Sequence, residues 1–301
     1  MKVSAPAKIN LALSVGPLRV DGFHEIATVF HAISLSDTVT ATISEHPRLT
    51  ITSSVPGLVP ADSDNIAMRA VAALGVAIGR RPDVSLHIDK RIPVAAGLAG
   101  GSADAAAALV ACNALWNSRL TTAELVPIAA QLGSDVPFAL FGTTMVGSSR
   151  GEVLAPVLAP NLENAPLHWV IAASDAGLST PAVYRTLDQL RTAQGEDIDP
   201  PHIPAELMLA LRHGEPALIG AALSNDLQLA ALRLRPTLSR TLETGNDAGA
   251  LGALVSGSGP TCVFLARDDE HSIELAVALS SSGTCNQVFR ATGPAAGAHA
   301  L

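Results

Sequence analysis

Apolar and smaller or polar residues alternate at the start of the chain. Ile9, Leu11, Leu13 and Val15 are set against Asn10, Ala12 and Ser14, which is the two-residue period of a strand. A turn is predicted at Asp21-Gly22. The same period returns where Val39, Ala41 and Ile43 are set against Thr38, Thr40, Thr42 and Ser44. Leu49 and Ile51 resume it after Pro47, which predicts a hairpin. Asn65 to Leu74 has helical spacing, Val84, Leu86 and Ile88 alternate again, and Pro93 breaks that strand into a loop. Ser102 to Leu115 reads as an alanine-rich helix. Thr121 and Glu124 form a capping box for the next helix, in which Pro127 sits deep enough to predict a kink or a late start.

Proline and glycine thicken between Gly142 and Pro166, which predicts a domain boundary near residue 155 and domains of residues 1–155 and 156–301. Beyond it, Trp169–Ala173 reads as a strand, and Thr180-Pro181 as an N-cap followed by proline at the first helical position. Helices follow from Ala205 to Thr244. Strands at Leu251–Val255 and Thr261–Ala266 flank a glycine loop, then come a helix over Asp269–Ser281 and a strand over Gln287–Thr292. Strand–helix–strand–strand–helix–strand is a ferredoxin-like order with added helices. The Ala-Gly-rich tail after Gly293 is expected to be mobile.

Composition narrows the function. The chain has 301 residues, 48% of them hydrophobic, which is enough to bury a sizeable core. Its net charge is −8 and it has only six Phe, two Trp and one Tyr. A nucleic-acid binder needs a basic patch and stacking aromatics, so nucleic acid is not the expected partner. The longest uncharged stretch, Ala248 to Ala266, is interrupted by glycines and Pro260, and Ile9–Leu18 has strand periodicity, so neither a membrane span nor a targeting segment is expected. Cys112, Cys262 and Cys285 form no CxxC pair, which fits a reducing cytosol and a cytoplasmic protein. Cys112 reads as a small buried hydrophobe. Nine histidines occur without an HExxH, and no metal cluster is expected.

Four segments carry candidate chemistry. Pro93-Val-Ala-Ala-Gly97-Leu-Ala-Gly100-Gly101-Ser102 opens onto the alanine-rich helix. Glycines there let backbone N–H groups approach a ligand, and the helix start adds orphan donors, a setting for polyphosphate. Neither a Walker A lysine nor a GxGxxG spacing is present, and the alternative is a tight turn needed only for packing. Lys8 and Asn10 share one face of the first strand. Asp135 lies between a helix and an apolar run, as a functional carboxylate or as a plain helix cap. Val255–Cys262 is a second glycine loop or a hairpin turn.

In this order the segments resemble the GHMP kinase superfamily, whose three motifs match at Pro6–Leu11, Pro93–Ala107 and Val255–Cys262. Further matches are Asp21-Gly-Phe23-His24-Glu25, Asp64-Asn65-Ile66, Ile88-Asp-Lys90-Arg-Ile-Pro93, Gly133-Ser-Asp135-Val-Pro137-Phe and Thr180-Pro-Ala-Val-Tyr184. They extend the resemblance over residues 3 to about 293. Within the superfamily they are most similar to the branch whose acceptor is a cytidine diphosphate-linked methylerythritol of the non-mevalonate isoprenoid pathway.

The resemblance implies an α/β (α+β) fold of two domains, with the active site in the cleft between them. The N-terminal, ATP-binding domain would be ribosomal-protein-S5-like and the C-terminal domain ferredoxin-like. ATP with Mg²⁺ would be the cofactor. Pro93, Val94, Ala95, Ala96, Gly97, Leu98, Ala99, Gly100, Gly101, Ser102 and Ala103 would hold its phosphates, with Asn65 and Lys90 near the adenine. Asp135 would be the base for the acceptor hydroxyl and Lys8 would sit beside it. Asn10, Phe23, His24, Thr180 and Tyr184 would bind the cytidine diphosphate part, with Phe23 and Tyr184 sandwiching the cytosine. Mg²⁺ would ride on ATP oxygens, with the Ser102 hydroxyl as a further ligand. Two departures stand out: Ala96 and Ala99 replace frequent glycines, and Phe23 a frequent tyrosine. Alanine still presents its N–H provided that φ stays negative. A sibling kinase acting on another small alcohol, or a non-catalytic nucleotide-binding protein, are the competing readings; the presence of both Lys8 and Asp135 favours an enzyme.

Overall fold

The fold is that of a computed structural model, which describes residues 1–55, 59–174, 177–195 and 197–301. It begins with a long antiparallel hairpin of β1 (Lys2–Leu18) and β2 (His24–Ile43). β1 is buried without interruption from Val3 to Leu13, so alternation understates its length. Its register with β2 slips between Asn10 and Ala12, a bulge that re-aims the next side chain. Leu13 therefore leaves the core of Ile9 and Leu11 and lines the same cavity as Asn10, against the simple alternation.

β3 (Leu49–Ser53) does not complete a hairpin with β2. The chain passes through α1 (Ile66–Ala77) to β4 (Val84–Lys90), which takes the place beside β2 and pairs with β3 in parallel. Alternation fixes which face of a strand is buried, not which neighbour it takes. Next comes α2 (Gly100–Leu115), whose buried alanines 103, 105–108 and 111 let it lie close on β1 and β2. α3 (Thr122–Leu132) has the expected capping box, with Thr121 N donating to Glu124 Oε2 at 2.8 Å. Pro127 lies inside α3 and does not delay its start. After α4 (Val136–Phe141), β5 (Thr144–Ser148) pairs with β2, and β6 (Val153–Pro156) pairs with β5.

The second sheet starts after α5 (Pro160–Asn164) with β7 (Leu167–Ala173). α6 (Thr180–Gln194), α7 (Ala205–His213), α8 (Pro216–Ala221), β8 (Ser224–Asn225), α9 (Gln228–Leu234) and α10 (Thr237–Asp247) intervene. Then follow β9 (Gly252–Val255), β10 (Cys262–Ala266), α11 (Asp269–Ser281), β11 (Gln287–Gly293) and β12 (His299–Ala300). The antiparallel order β11-β7-β10-β9 is the ferredoxin-like one, with helices added between β7 and β9.

The two sheets are joined. Ile9 and Leu11 share one buried core with Trp169, Ile171 and Val263, and β8 pairs with β1. The tail after Gly293 is not mobile: β12 pairs with β1, and Thr143 N donates to Ala295 O at 2.7 Å. Its small residues permit this approach, since a Cβ on Gly297 would stand 2.2 Å from Leu140 O. Cys112 is buried in the main core, and burial pushes its thiol up to about 12. Among the described residues no helix is long and apolar enough to cross a membrane.

Candidate active site

Lys8 and Asn10 project from β1 into a cavity of about 570 Å³. Lys8 Nζ donates to Asn10 Oδ1 at 2.8 Å, and Asn10 Nδ2 donates to Thr28 Oγ1 at 2.8 Å, so the ammonium is held from behind. Asp135 Oδ2 lies 4.0 Å from Lys8 Nζ. Asp135 occupies the N-cap position of α4 but makes no capping bond, so its carboxylate faces the cavity uncommitted. Burial pulls the Lys8 ammonium below the ordinary lysine value, and the Asp135 charge opposes that only in part.

The loop before α2 forms one wall. Pro93, Val94, Ala95, Ala96, Gly97, Ala99, Gly100 and Gly101 line the cavity, whereas Leu98 and Ala103 are fully buried and Ser102 lies off the lining. α2 starts at Gly100, two residues earlier than its pattern predicted, with Ala99 as N-cap. Ala95 and Ala99 adopt φ of 53° and 56°, and Gly97 77°. The condition that alanine keep a negative φ therefore fails at Ala99, where the N-cap is left-handed and carries the strain of its Cβ. Gly97 has a steric reason as well, because a Cβ there would stand 2.4 Å from Ser256 O in the second glycine loop. Across from it, a Cβ on Gly257 (φ 55°) would stand 3.4 Å from Lys8 Nζ. The two glycine loops thus close on Lys8 from the two sheets.

Asn65 lines the cavity as the N-cap of α1, accepting from Ala67 N at 2.9 Å and donating to Pro60 O at 2.7 Å. Lys90 lines it as well, but its ammonium is held by Asp37 Oδ2 at 2.5 Å and Asp104 Oδ2 at 2.6 Å. Burial alone would lower the Lys90 pKa, yet the two carboxylates outweigh it and hold the ammonium above the ordinary value. Burial likewise raises the Asp104 carboxyl, against the pull of Lys90.

On the opposite wall Tyr184 lies 5.1 Å, centroid to centroid, from His24, whose Nε2 meets Asp188 Oδ1 at 2.8 Å. Burial, with the Asp135 charge second, pushes the Tyr184 phenol up to about 12, so it stays a neutral donor. Thr180 does not cap α6; Ser179 holds that position, and Thr180 Oγ1 instead meets Ser258 Oγ at 2.9 Å. Phe23 is not brought opposite Tyr184. It is 53% exposed, lies off the lining, and packs its ring under the Arg150 guanidinium. His24 is the ring beside Tyr184. Pattern reasoning missed Arg150 and Leu178, which also line the cavity, as do Asp64 and Ser258, which lie in matched segments but were given no role. Arg150 sits on a polar turn between β5 and β6 that carries no motif, and only the tertiary fold discloses it.

Comparison with known proteins gives two family matches. Residues 65–143 match the GHMP kinases N terminal domain and residues 207–285 the GHMP kinases C terminal domain. A Salinispora tropica protein named 4-diphosphocytidyl-2-C-methyl-D-erythritol kinase is 52% identical over 299 residues, covering 99% of this chain and 93% of that one. The Rhodococcus jostii protein of that name is 50% identical, covering 99% and 94%. A crystal structure of 4-(cytidine 5'-diphospho)-2C-methyl-D-erythritol kinase superposes with a TM-score of 0.78 at 33% identity, covering 97% of this chain and 98% of that one.

Proposed function

The chain belongs to the GHMP kinase family, and from that premise we propose that it transfers the γ-phosphoryl of ATP to the 2-hydroxyl of 4-diphosphocytidyl-2-C-methyl-D-erythritol, a step in isoprenoid precursor synthesis. Relatives about half identical over 99% of the chain carry that activity in their names, which supports the choice of acceptor. The observation that carries the mechanism is one cavity joining three parts: the Lys8–Asp135 pair, a glycine loop at a helix start, and Tyr184, which His24 backs from outside the lining.

Phosphoryl transfer passes through a loose transition state, so positioning and charge stabilisation dominate. Asp135 accepts the hydroxyl proton. Its freedom from capping leaves the carboxylate oxygens available for that proton. Lys8, fixed by Asn10, places an ammonium beside the same carboxylate and offsets charge on the phosphoryl and the attacking oxygen. The N–H groups from Ala99 to Gly101 and the start of α2 hold the leaving phosphates.

Mg²⁺ fits this site. Asp104 Oδ1 is a buried oxygen without a hydrogen-bond partner, on a residue that lines the cavity, and Ser102 lies two residues before it on α2. Both are hard oxygen donors, and no group of three or more His, Cys, Asp or Glu among the described residues could hold an ion alone. Nucleotide oxygens would supply most of its ligands, and when bound it would neutralise charge on the phosphates. The test is a phosphotransfer panel: MgATP with the cytidylated methylerythritol, mevalonate, homoserine and a hexose, read by ADP release and product mass. Phosphorylation of the cytidylated alcohol alone is expected; turnover confined to another alcohol would overturn the assignment.

A further inference from the structure

Six charged side chains among the described residues line the cavity: Lys8, Lys90 and Arg150, against Asp64, Asp104 and Asp135. Two of the cations are engaged, Lys8 beside Asp135 and Lys90 between Asp104 and Asp37. Arg150 is engaged differently. Its guanidinium carbon stands 5.1 Å from the centroid of the Phe23 ring. Glu152 Oε1 stands 3.6 Å from its Nε, and Glu152 is itself occupied by the Arg150 backbone N–H at 2.9 Å and the Ser149 hydroxyl at 3.2 Å. No described residue takes a hydrogen bond from its two Nη groups.

A guanidinium with one face on an aromatic ring and its Nε edge flanked by a carboxylate is oriented, leaving a fork of N–H donors to the cavity. That fork matches two phosphate oxygens. The β5–β6 turn that carries Arg150 is tied to the acceptor wall, since Ile26 N donates to Ser149 O at 2.8 Å and Ile26 also lines the cavity. Removing Arg150 would leave two lining cations against three carboxylates, a poor place for a polyanion.

We propose that Arg150, held on the ring of Phe23, binds the diphosphate bridge of the acceptor and makes the site select a cytidine diphosphate over the bare nucleoside. This rests on the cytidylated acceptor proposed above. Phe23 then supports the arginine and does not stack on the base, which accounts for its place off the cavity wall.

The test is calorimetric titration of the full chain, without ATP, with CDP and with cytidine, for the wild type, Arg150→Ala and Arg150→Lys. Arg150→Ala is expected to weaken CDP binding roughly 10- to 100-fold, the value of hydrogen bonds to a charged group, with cytidine binding unchanged. Arg150→Lys is expected to fall between, keeping the charge but losing the fork. The Michaelis constant for ATP is expected to stay fixed in both. An unchanged CDP-to-cytidine ratio in Arg150→Ala, whether both affinities hold or both fall, would overturn the role of Arg150 while leaving the acceptor in place. A wild-type chain that binds neither compound would overturn the acceptor assignment and this proposal with it.

Discussion

Two buried lysines face the same cavity and have opposite chemistries. Lys90 is 3% exposed and gripped by two carboxylates within 2.6 Å, and its proton is held more tightly than in water. Lys8 is 7% exposed and has one amide oxygen at 2.8 Å and one carboxylate at 4.0 Å, and its proton is held less tightly. Lys90 ties three segments together. Asp37 on β2 also takes N–H bonds from Arg91 and Ile92, while Asp104 lies on α2, so the charge network pins the glycine loop at both ends. A satisfied buried charge is structural; an under-compensated one is ready for an incoming anion.

Removing the satisfied lysine should have the largest effect. Lys90→Met leaves two carboxylates buried side by side, and denaturant melts are expected to show a loss of about 3–5 kcal/mol. Lys8→Met should act on rate instead. A kcat lowered ~10²–10³-fold is expected with the melting transition kept, because the lost cation acts on the transferring group. Intact stability in Lys90→Met, or unfolding in Lys8→Met, would break the contrast.

The pH dependence separates the pair further. The Lys90 pKa is raised above 10.5, so its contribution is fully present below pH 10.5 and lost as the pH climbs through the folded value. The Lys8 pKa is lowered below 10.5, so burying it costs stability at neutral pH, and that cost fades as the pH rises from the lowered value toward 10.5. Activity that needs the Lys8 ammonium should therefore fall on an alkaline limb below pH 10.5. Lys8→Arg is expected to move that limb upward, read from kcat against pH, since a guanidinium stays charged. The smallest effect concerns the loop itself. Ala99→Gly relieves a left-handed alanine and should stabilise the fold by about 0.5–1 kcal/mol in thermal melts, the backbone penalty less the entropy of an unfolded glycine.

Some of these features are legible in the sequence and others are not, for physical reasons. Glycine spacing marks both loops because close backbone approach leaves few substitutes, as the contacts at Gly97 and Gly257 show. The ferredoxin-like order follows from alternating periods. The pairing of β3 with β4, the bulge after Asn10 and the docked tail do not, since each depends on a neighbour distant in the chain. The family resemblance puts Phe23 and Lys90 beside the ligand, yet the partners of a side chain decide what it does. Arg150 decides it for Phe23, and Asp37 with Asp104 for Lys90. The positive φ of Ala95 and Ala99 runs against residue preference and is beyond any propensity argument.

The central claim is that Asp135 takes the proton from the acceptor hydroxyl, and its most direct test is the steady-state kinetics of Asp135→Asn. Asparagine is nearly isosteric and cannot accept a proton in the same way. With MgATP and the cytidylated methylerythritol both varied, kcat is expected to fall by ~10²–10⁴ while both Michaelis constants stay close to those of the wild type. An Asp135→Asn enzyme that keeps most of its turnover would remove this carboxylate from the reaction and contradict the account.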